Sequence, residues 1–300
     1  MKNLIKSIFS ILFLLVFVLG TSVYAQEETE QTEEKERDDR PVRAPFESSL
    51  LLDNQTVIVP TKGTMQYEIQ HRFGTLENGI SDFYGMWAPS NIRMGLGYVP
   101  KENIMVGIGA TKFNQMIDIN YKWNFLKQTR SWSMPVGVSF YGYVGIDTRG
   151  KQILEDNFSY RLSYFNELII ATRVNKKLSL QIIPSFTHYN AVDSLYSNDI
   201  FAISGSGRYK LTAQTSIILQ VDQPITRHDA QVAYDLGLAY SAPLPNISFG
   251  VEISTSTHAF QIFLASYQSI LYGQNMAYNT NDFLDGQILL GFNITRLWNW

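Results

Sequence analysis

The 300-residue sequence predicts an all-β fold, a transmembrane antiparallel β-barrel of about twelve strands, with fourteen as the alternative. Three observations carry this. Apolar and polar residues alternate with period two over stretch after stretch, the mark of strands with two unlike faces. Short turns (PKEN, VNKK, LTAQ, APLPN) alternate with longer polar loops, as the two ends of an outer-membrane barrel require. Aromatic residues gather near strand ends, at Phe73, Tyr98, Trp123, Phe158, Tyr189, Tyr209, Tyr240, Trp298 and Trp300, where interfacial girdles lie. Nowhere is there a convincing helical period of 3.6.

Residues 1–25 read as a secretory signal peptide. Lys2 and Lys6 form the positive end, Ile8 to Leu19 is an apolar run, and Val23 and Ala25 precede the cleavage point. The run is too short for a spanning helix, which needs ~20 residues. With no cysteine in the chain, a lipid anchor at Gln26, disulfides, thiol catalysis and cysteine metal sites are all excluded.

Residues 26–45 form an acidic segment. Gln26 to Arg40 carries eight acids against three bases and no apolar residue, so it cannot bury enough surface to offset its ordering entropy. It reads as a disordered spacer, with a periplasmic partner as the functional alternative. The chain's net charge is −3. The signal's two lysines and this acidic segment account for it, leaving the rest near neutral and excluding nucleic acid as a partner.

The barrel domain then spans 46–300. Pro41 to Gly63 is transitional, with a short strand expected at Thr56–Val59 before Pro60. Spanning strands are expected at 64–73, 91–99, 104–110, 115–126, 134–147, 158–173 and 178–189. Others follow near 201–209 and at 215–222, 232–240, 247–253, 260–264 and 286–300. That makes thirteen. Two chain ends on one side of a membrane need an even number, so 247–266 is taken as one bulged strand, giving twelve. The fourteen-strand alternative adds 268–274. Glycine recurs on one face of two neighbouring strands, at Gly95, Gly97, Gly107 and Gly109, which predicts close approach of something on that face.

In the last strand Ile288, Leu290, Phe292 and Ile294 alternate with Gln287, Gly291, Asn293 and Thr295. It is expected to pair with the first strand and close the barrel. Phe292, Trp298 and Trp300 look like the terminal signal read by the outer-membrane assembly machinery. The expected surroundings are outer-membrane lipid.

Charges on the lipid side of a barrel cost ~2–4 kcal/mol at the midplane. The lumen is therefore where Glu68, Arg93, Asp118, Lys122, Arg161, Glu167, Arg208, Asp222, Asp235 and Glu252 belong. They are candidate lumen-lining or ligand residues, either of a narrow channel or of a cross-linked interior that holds a small barrel shut. No catalytic, metal or cofactor site is expected. The four histidines, His71, His188, His228 and His258, lie in no hydrolase or metalloprotease motif. A lipid hydrolase built around His188 is a minor alternative.

The runs PVRAPFES, QHRFG at Gln70–Gly74, HAFQIFLAS and GFNITRLW resemble an uncharacterised family of outer-membrane β-barrel proteins found mainly in Bacteroidota. The likeness covers Pro41 to Trp300. It implies a fold and an outer-membrane location, and no activity. Phe46, Glu47, His71, Arg72 and Phe73 stand in its motifs without assigned roles. The functions expected are a narrow porin-like pore or transporter for small solutes, or a plugged structural or docking barrel.

Overall fold

Alternation along each strand decides the architecture. In the computed structural model, which describes residues 38–153, 156–193, 196–226, 235 and 242–299, twelve antiparallel strands close into one barrel. The staves are β3 (Thr64–Thr75), β4 (Asn91–Lys101), β5 (Ile104–Thr111), β6 (Met116–Leu126), β7 (Gly137–Asp147) and β8 (Leu162–Arg173). They continue as β9 (Leu178–Tyr189), β10 (Asp199–Lys210), β11 (Thr215–Pro224), β12 (Asn246–Ser254), β13 (His258–Ala265) and β14 (Leu289–Asn299). Each stave pairs with its neighbour in sequence. β14 pairs with β3 from Leu289↔Thr75 to Asn299↔Thr64, as the expected closure requires. Closure leaves no unpaired strand edge.

The faces are inverted relative to a water-soluble fold. Outward residues such as Met94, Ile108, Ile119, Trp123, Phe249 and Ile262 are exposed, while the inward positions of the same strands hold buried polar and charged groups. Water would not tolerate this apolar band, and hydrocarbon requires it. Among the described residues no helix is long and apolar enough to cross a membrane.

The barrel has a turn end and a loop end. The connections 102–103, 174–177, 211–214 and 255–257 are short, and both ends of the barrel sheet lie on that side. The connections 76–90, 148–161, 190–198, 225–245 and 266–288 are long. Two depart from the alternation: 112–115 is short at the loop end, and 127–136 is long at the turn end.

The strand number is the preferred twelve, reached differently from the expected way. Residues 246–254 and 258–265 are two staves joined at Thr255–Thr257, each paired with a neighbour on both sides. Of the expected strand at 232–240, all but Asp235 lies outside the described residues; Asp235 is helical and exposed. No stave can be inserted there, because β11 pairs directly with β12 from Thr215↔Ile253 to Asp222↔Asn246. Residues 268–274 are no strand either: they lead into α1 (Tyr272–Tyr278). Phe158–Arg161, expected at the start of a strand, is a 3-10 turn capped by the Asn157 side chain, and β8 begins after it.

Two segments fill the barrel. From the turn end, residues 46–57 enter the lumen as a tight hairpin of β1 (Leu50–Leu51) and β2 (Asn54–Gln55). Phe46, Leu50, Leu51, Leu52 and Val57 are buried there, and Thr56 to Val59 is not the short strand expected. From the loop end, the connection 266–288 folds inward and buries Tyr267, Ile270, Leu271 and most of α1. Residues 38–42 lie against the long turn-end connection. Pro41 bridges to Thr129, Val42 N–H donates to the Gln128 carbonyl, and Arg130 Nη1 is 3.3 Å from Asp38 Oδ2.

Candidate functional site: the plugged lumen

Every stave sends at least one buried polar residue inward, from Gln66, Glu68, Gln70 and Arg72 on β3 to Asn293 and Thr295 on β14. A buried polar group must find a partner or cost several kcal/mol. Many of these partners come from the hairpin. Arg72 Nη2 donates to Asp53 Oδ1 at 2.7 Å, with both side chains fully buried. Its other terminal nitrogen donates to Asn293 Oδ1 at 3.0 Å, and the guanidinium lies 4.6 Å from the centre of the Phe263 ring.

Lys122 Nζ donates to the carbonyls of Ser49 (2.9 Å) and Ile58 (3.3 Å). Ser139 and Asn124 both donate to the Val57 carbonyl. Gln261 donates to the Leu50 carbonyl and accepts from Leu52 N–H, and Asn293 donates to the Leu52 carbonyl. The wall thus supplies the pairing that the hairpin, with only two residues per strand, cannot supply for itself.

Asp222 joins the two inserted segments. It accepts from Ser204, Gln220 and Asn246 on the wall, from Asn54 of the hairpin at 3.3 Å, and from the Tyr272 hydroxyl of α1 at 3.0 Å. Between the two segments remains a cavity of about 20 Å³ bordered by Asp53, Gln55, Gln70, Arg93, Glu167 and Tyr272. That is room for about one water. At this level the two inserted segments fill the lumen.

A second cluster ties wall to wall. Arg93 grips Asp118 through two bonds, at 2.8 and 2.7 Å, and donates to Glu68 Oε2 and Gln70 Oε1, both at 3.1 Å. The fork geometry makes this a strong charge-assisted set. It also explains the repeated glycines. A methyl group added at Gly109 would lie 2.4 Å from Arg93 Nη2 and 2.5 Å from Asp118 Oδ1, and one at Gly95 would lie 2.8 Å from Arg93 Nη1. The guanidinium cannot yield without breaking its pairs. Gly109→Ala should therefore cost about 1–3 kcal/mol, as overpacking does. Gly97→Ala, facing the flexible Met105 thioether at 3.3 Å, should cost little. Urea unfolding followed by heat-modifiable gel migration would rank the two.

The candidate lumen residues divide accordingly. Glu68, Arg93, Asp118, Lys122, Glu167, Arg208, Asp222 and Glu252 are all buried on inward faces. Arg208 donates to Glu252 at 2.7 Å and pairs with Glu47 at 3.5 Å. Two were misplaced. Arg161 sits in the 3-10 turn at the loop end, where its guanidinium donates to the carbonyls of Asp147 and Arg149. Asp235 lies exposed in the connection between β11 and β12.

The motif residues acquire positions. Phe46 begins the hairpin segment, Glu47 pairs with Arg208 and Lys210, and Arg72 holds Asp53. His71 and Phe73 face outward: the His71 ring stacks on Phe292 at 5.0 Å and lies 4.4 Å from Phe73. Trp298 lies under the Arg296 guanidinium, 4.7 Å away, beside Tyr67. Trp300 is outside the described residues. Asp53, Asn54 and Gln55 were missed, since the transitional stretch that carries them shows no period. The cue available was SSLLLDNQTV, apolar and amide residues set between two proline-bearing breaks.

His188 Nδ1 and Asp199 Oδ1 stand 2.7 Å apart across β9 and β10 at the loop end. A hydrolase would add a hydroxyl at the other ring nitrogen. Among the described residues no hydrogen bond brings one there, and none form a cluster of three or more metal-ligating side chains.

Fold and lumen define a membrane-bound β-barrel with an internal plug. The chain belongs to the family described as a membrane bound beta barrel domain (DUF5777), whose model matches residues 46–298. The match begins at Phe46, so the hairpin is part of the family's domain. No curated protein matches the sequence. Among solved structures, the NanC porin is similar with a TM-score of 0.48 at 8% identity, covering 79% of this chain and 99% of its own. The COG4313 outer membrane channel from Pseudomonas putida F1 has a TM-score of 0.47 at 8% identity, covering 80% and 97%. The KdgM porin has 0.42 at 7%, covering 79% and 99%. None of them lends this chain a substrate.

Proposed function

We propose that this protein is a latched pore for small polar solutes in the outer membrane, closed at rest by its own N-terminal hairpin. The turn end then faces the periplasm and the long loops face outward. The observation that carries this is the chemistry of the plug–wall contact. The hairpin is held by one fully buried ion pair, Arg72–Asp53, and by side chains bonding to its backbone carbonyls. A plug that only had to seal would be as stable, or more so, with apolar residues at these places. A polar wall is useful once the hairpin leaves, because water and polar solutes can take over the same hydrogen bonds.

Replacing residues 46–58 with a Gly/Ser linker of equal length removes the plug without shortening the tether. In planar bilayers the full chain should be silent and the linker variant should show discrete conductance steps. Heat-modifiable migration would verify that the variant's barrel is closed. A closed but silent variant would overturn the hairpin as the latch; silence in a variant whose residues 266–278 are replaced as well would overturn the pore and leave a structural or docking barrel.

A further inference from the structure

What the wall holds of the hairpin is largely its main chain. Lys122 bonds the Ser49 carbonyl, Gln181 the Gln55 carbonyl at 3.2 Å, and Ser139 the Val57 carbonyl at 2.8 Å. The densest set lies at Leu50 to Asp53. Gln261 Nε2 donates to the Leu50 carbonyl at 2.9 Å, and Gln261 Oε1 accepts from Leu52 N–H at 3.0 Å. One side-chain amide thus makes the kind of paired bonds that a neighbouring strand would make. Asn293 Nδ2 donates to the Leu52 carbonyl at 2.7 Å. The next residue, Asp53, gives one carboxylate oxygen to Arg72 at 2.7 Å and the other to Ser248 at 3.3 Å.

Ser248, Gln261, Asn293 and Arg72 come one each from β12, β13, β14 and β3, which are adjacent in the barrel. None is more than 1% exposed. They are held by the wall as well as by the hairpin. Gln261 Nε2 also donates to Glu252 at 2.9 Å, Asn293 Nδ2 to Gln261 Oε1 at 2.9 Å, and Arg72 Nη1 to Asn293 Oδ1 at 3.0 Å. A set fixed by its own bonds keeps its geometry when emptied and binds without a reordering cost.

The chemistry of this set is that of peptide recognition. Main-chain bonds can be made to any sequence, so they give affinity without choosing side chains. Leu50, Leu51 and Leu52 are buried by packing alone. The side chain that is chosen is a carboxylate, through a charge-assisted bond. An inorganic ion or a simple sugar offers no amide N–H and carbonyls at this spacing.

We infer that Ser248, Gln261, Asn293 and Arg72 form a binding site for short acidic peptides, which the hairpin fills as a stand-in from the same chain. This rests on the hairpin acting as the latch. It gives the solute of the open lumen a class: a peptide with a carboxylate on the residue after the one held by Gln261 and Asn293.

The linker variant, with residues 46–58 replaced, empties the site. A fluorescent peptide copying residues 48–55 would be titrated into it in detergent and followed by anisotropy, with heat-modifiable migration confirming a closed barrel. The copy should bind the linker variant and bind the full chain, whose site is filled, at least about tenfold more weakly. Methylating the Leu52 nitrogen of the peptide, or Asp53→Asn in it, should each weaken binding at least about tenfold. Leu50→Met with Leu51→Met, which keeps main chain and volume, should change it only a few-fold. Arg72→Met in the linker variant should remove the preference for the acidic peptide. No binding, or equal binding of the copy, the N-methyl peptide and the Asp53→Asn peptide, would overturn the site. Conductance separates this from the pore. Peptide binding by a barrel that stays silent with residues 266–278 replaced as well would keep the site and sink the pore. Conductance without peptide binding would sink the site alone.

Discussion

Arg72→Met is expected to unlatch the hairpin while leaving the barrel closed. The substitution leaves Asp53 charged, buried and without its cation, since the remaining bond the structure shows to it is from Ser248 at 3.3 Å. Breaking one side of such a pair costs about 3–5 kcal/mol. The cost falls chiefly on docking of 46–57, because among the described residues the other partners of Arg72 are Asn293, two backbone carbonyls and the Phe263 ring. Taking the lower figure, the open-to-closed ratio should rise roughly a hundredfold, at 1.4 kcal/mol per tenfold. It would be read as frequent conductance openings, and as new protease cleavage near Leu50–Asp53 in folded protein. Asp53→Asn combined with Arg72→Met should recover much of the loss, since no unpaired charge is left. Arg72→Lys should fall between, because a point charge cannot reproduce the fork that reaches both Asp53 and Asn293. Unchanged openings and cleavage in Arg72→Met would mean that the pair is not a latch.

Arg93→Met should do the opposite and damage the barrel itself. It strands two carboxylates, Asp118 and Glu68, on staves β6 and β3, with β4 and β5 between them. The loss should be at least the ~3–5 kcal/mol of a broken buried pair, and it falls on wall-to-wall contacts that no plug movement relieves. Heat-modifiable migration should be lost or its midpoint lowered substantially, with no gain of conducting protein. Two arginines of similar burial, one stave apart, would then separate by phenotype. An Arg93→Met barrel as stable as the parent would show that the cluster contributes nothing to the wall.

The staves were legible because the bilayer writes them into the sequence. A strand with hydrocarbon on one side and a packed lumen on the other must alternate, and charge must go inward. That argument placed Glu68, Asp118, Lys122 and Glu167 correctly. It misled at Asp235 because alternation is necessary for a stave and not sufficient. A stave also needs two neighbours, and β11 and β12 already serve each other. It misled at Arg161 because the face a residue takes depends on where the strand begins, and the Asn157 cap sets a 3-10 turn there. The glycines at 95 and 109 announced a close approach, but only the fold shows that the Arg93 guanidinium makes it.

The sequence by itself determined the membrane-bound barrel, its inward charges and the pairing of its last strand with its first. Each of these follows from local alternation under a solvent that admits no unpaired backbone and no lipid-facing charge. Only the tertiary structure decided that the lumen is occupied, and by what. Residues 46–57 have no period and little secondary structure of their own, and many of their hydrogen bonds are made to distant staves, more than a hundred residues away at Gln181, Asp222, Gln261 and Asn293. A segment whose conformation is paired by the wall around it carries no local signal, because the information that places it is distributed over the wall.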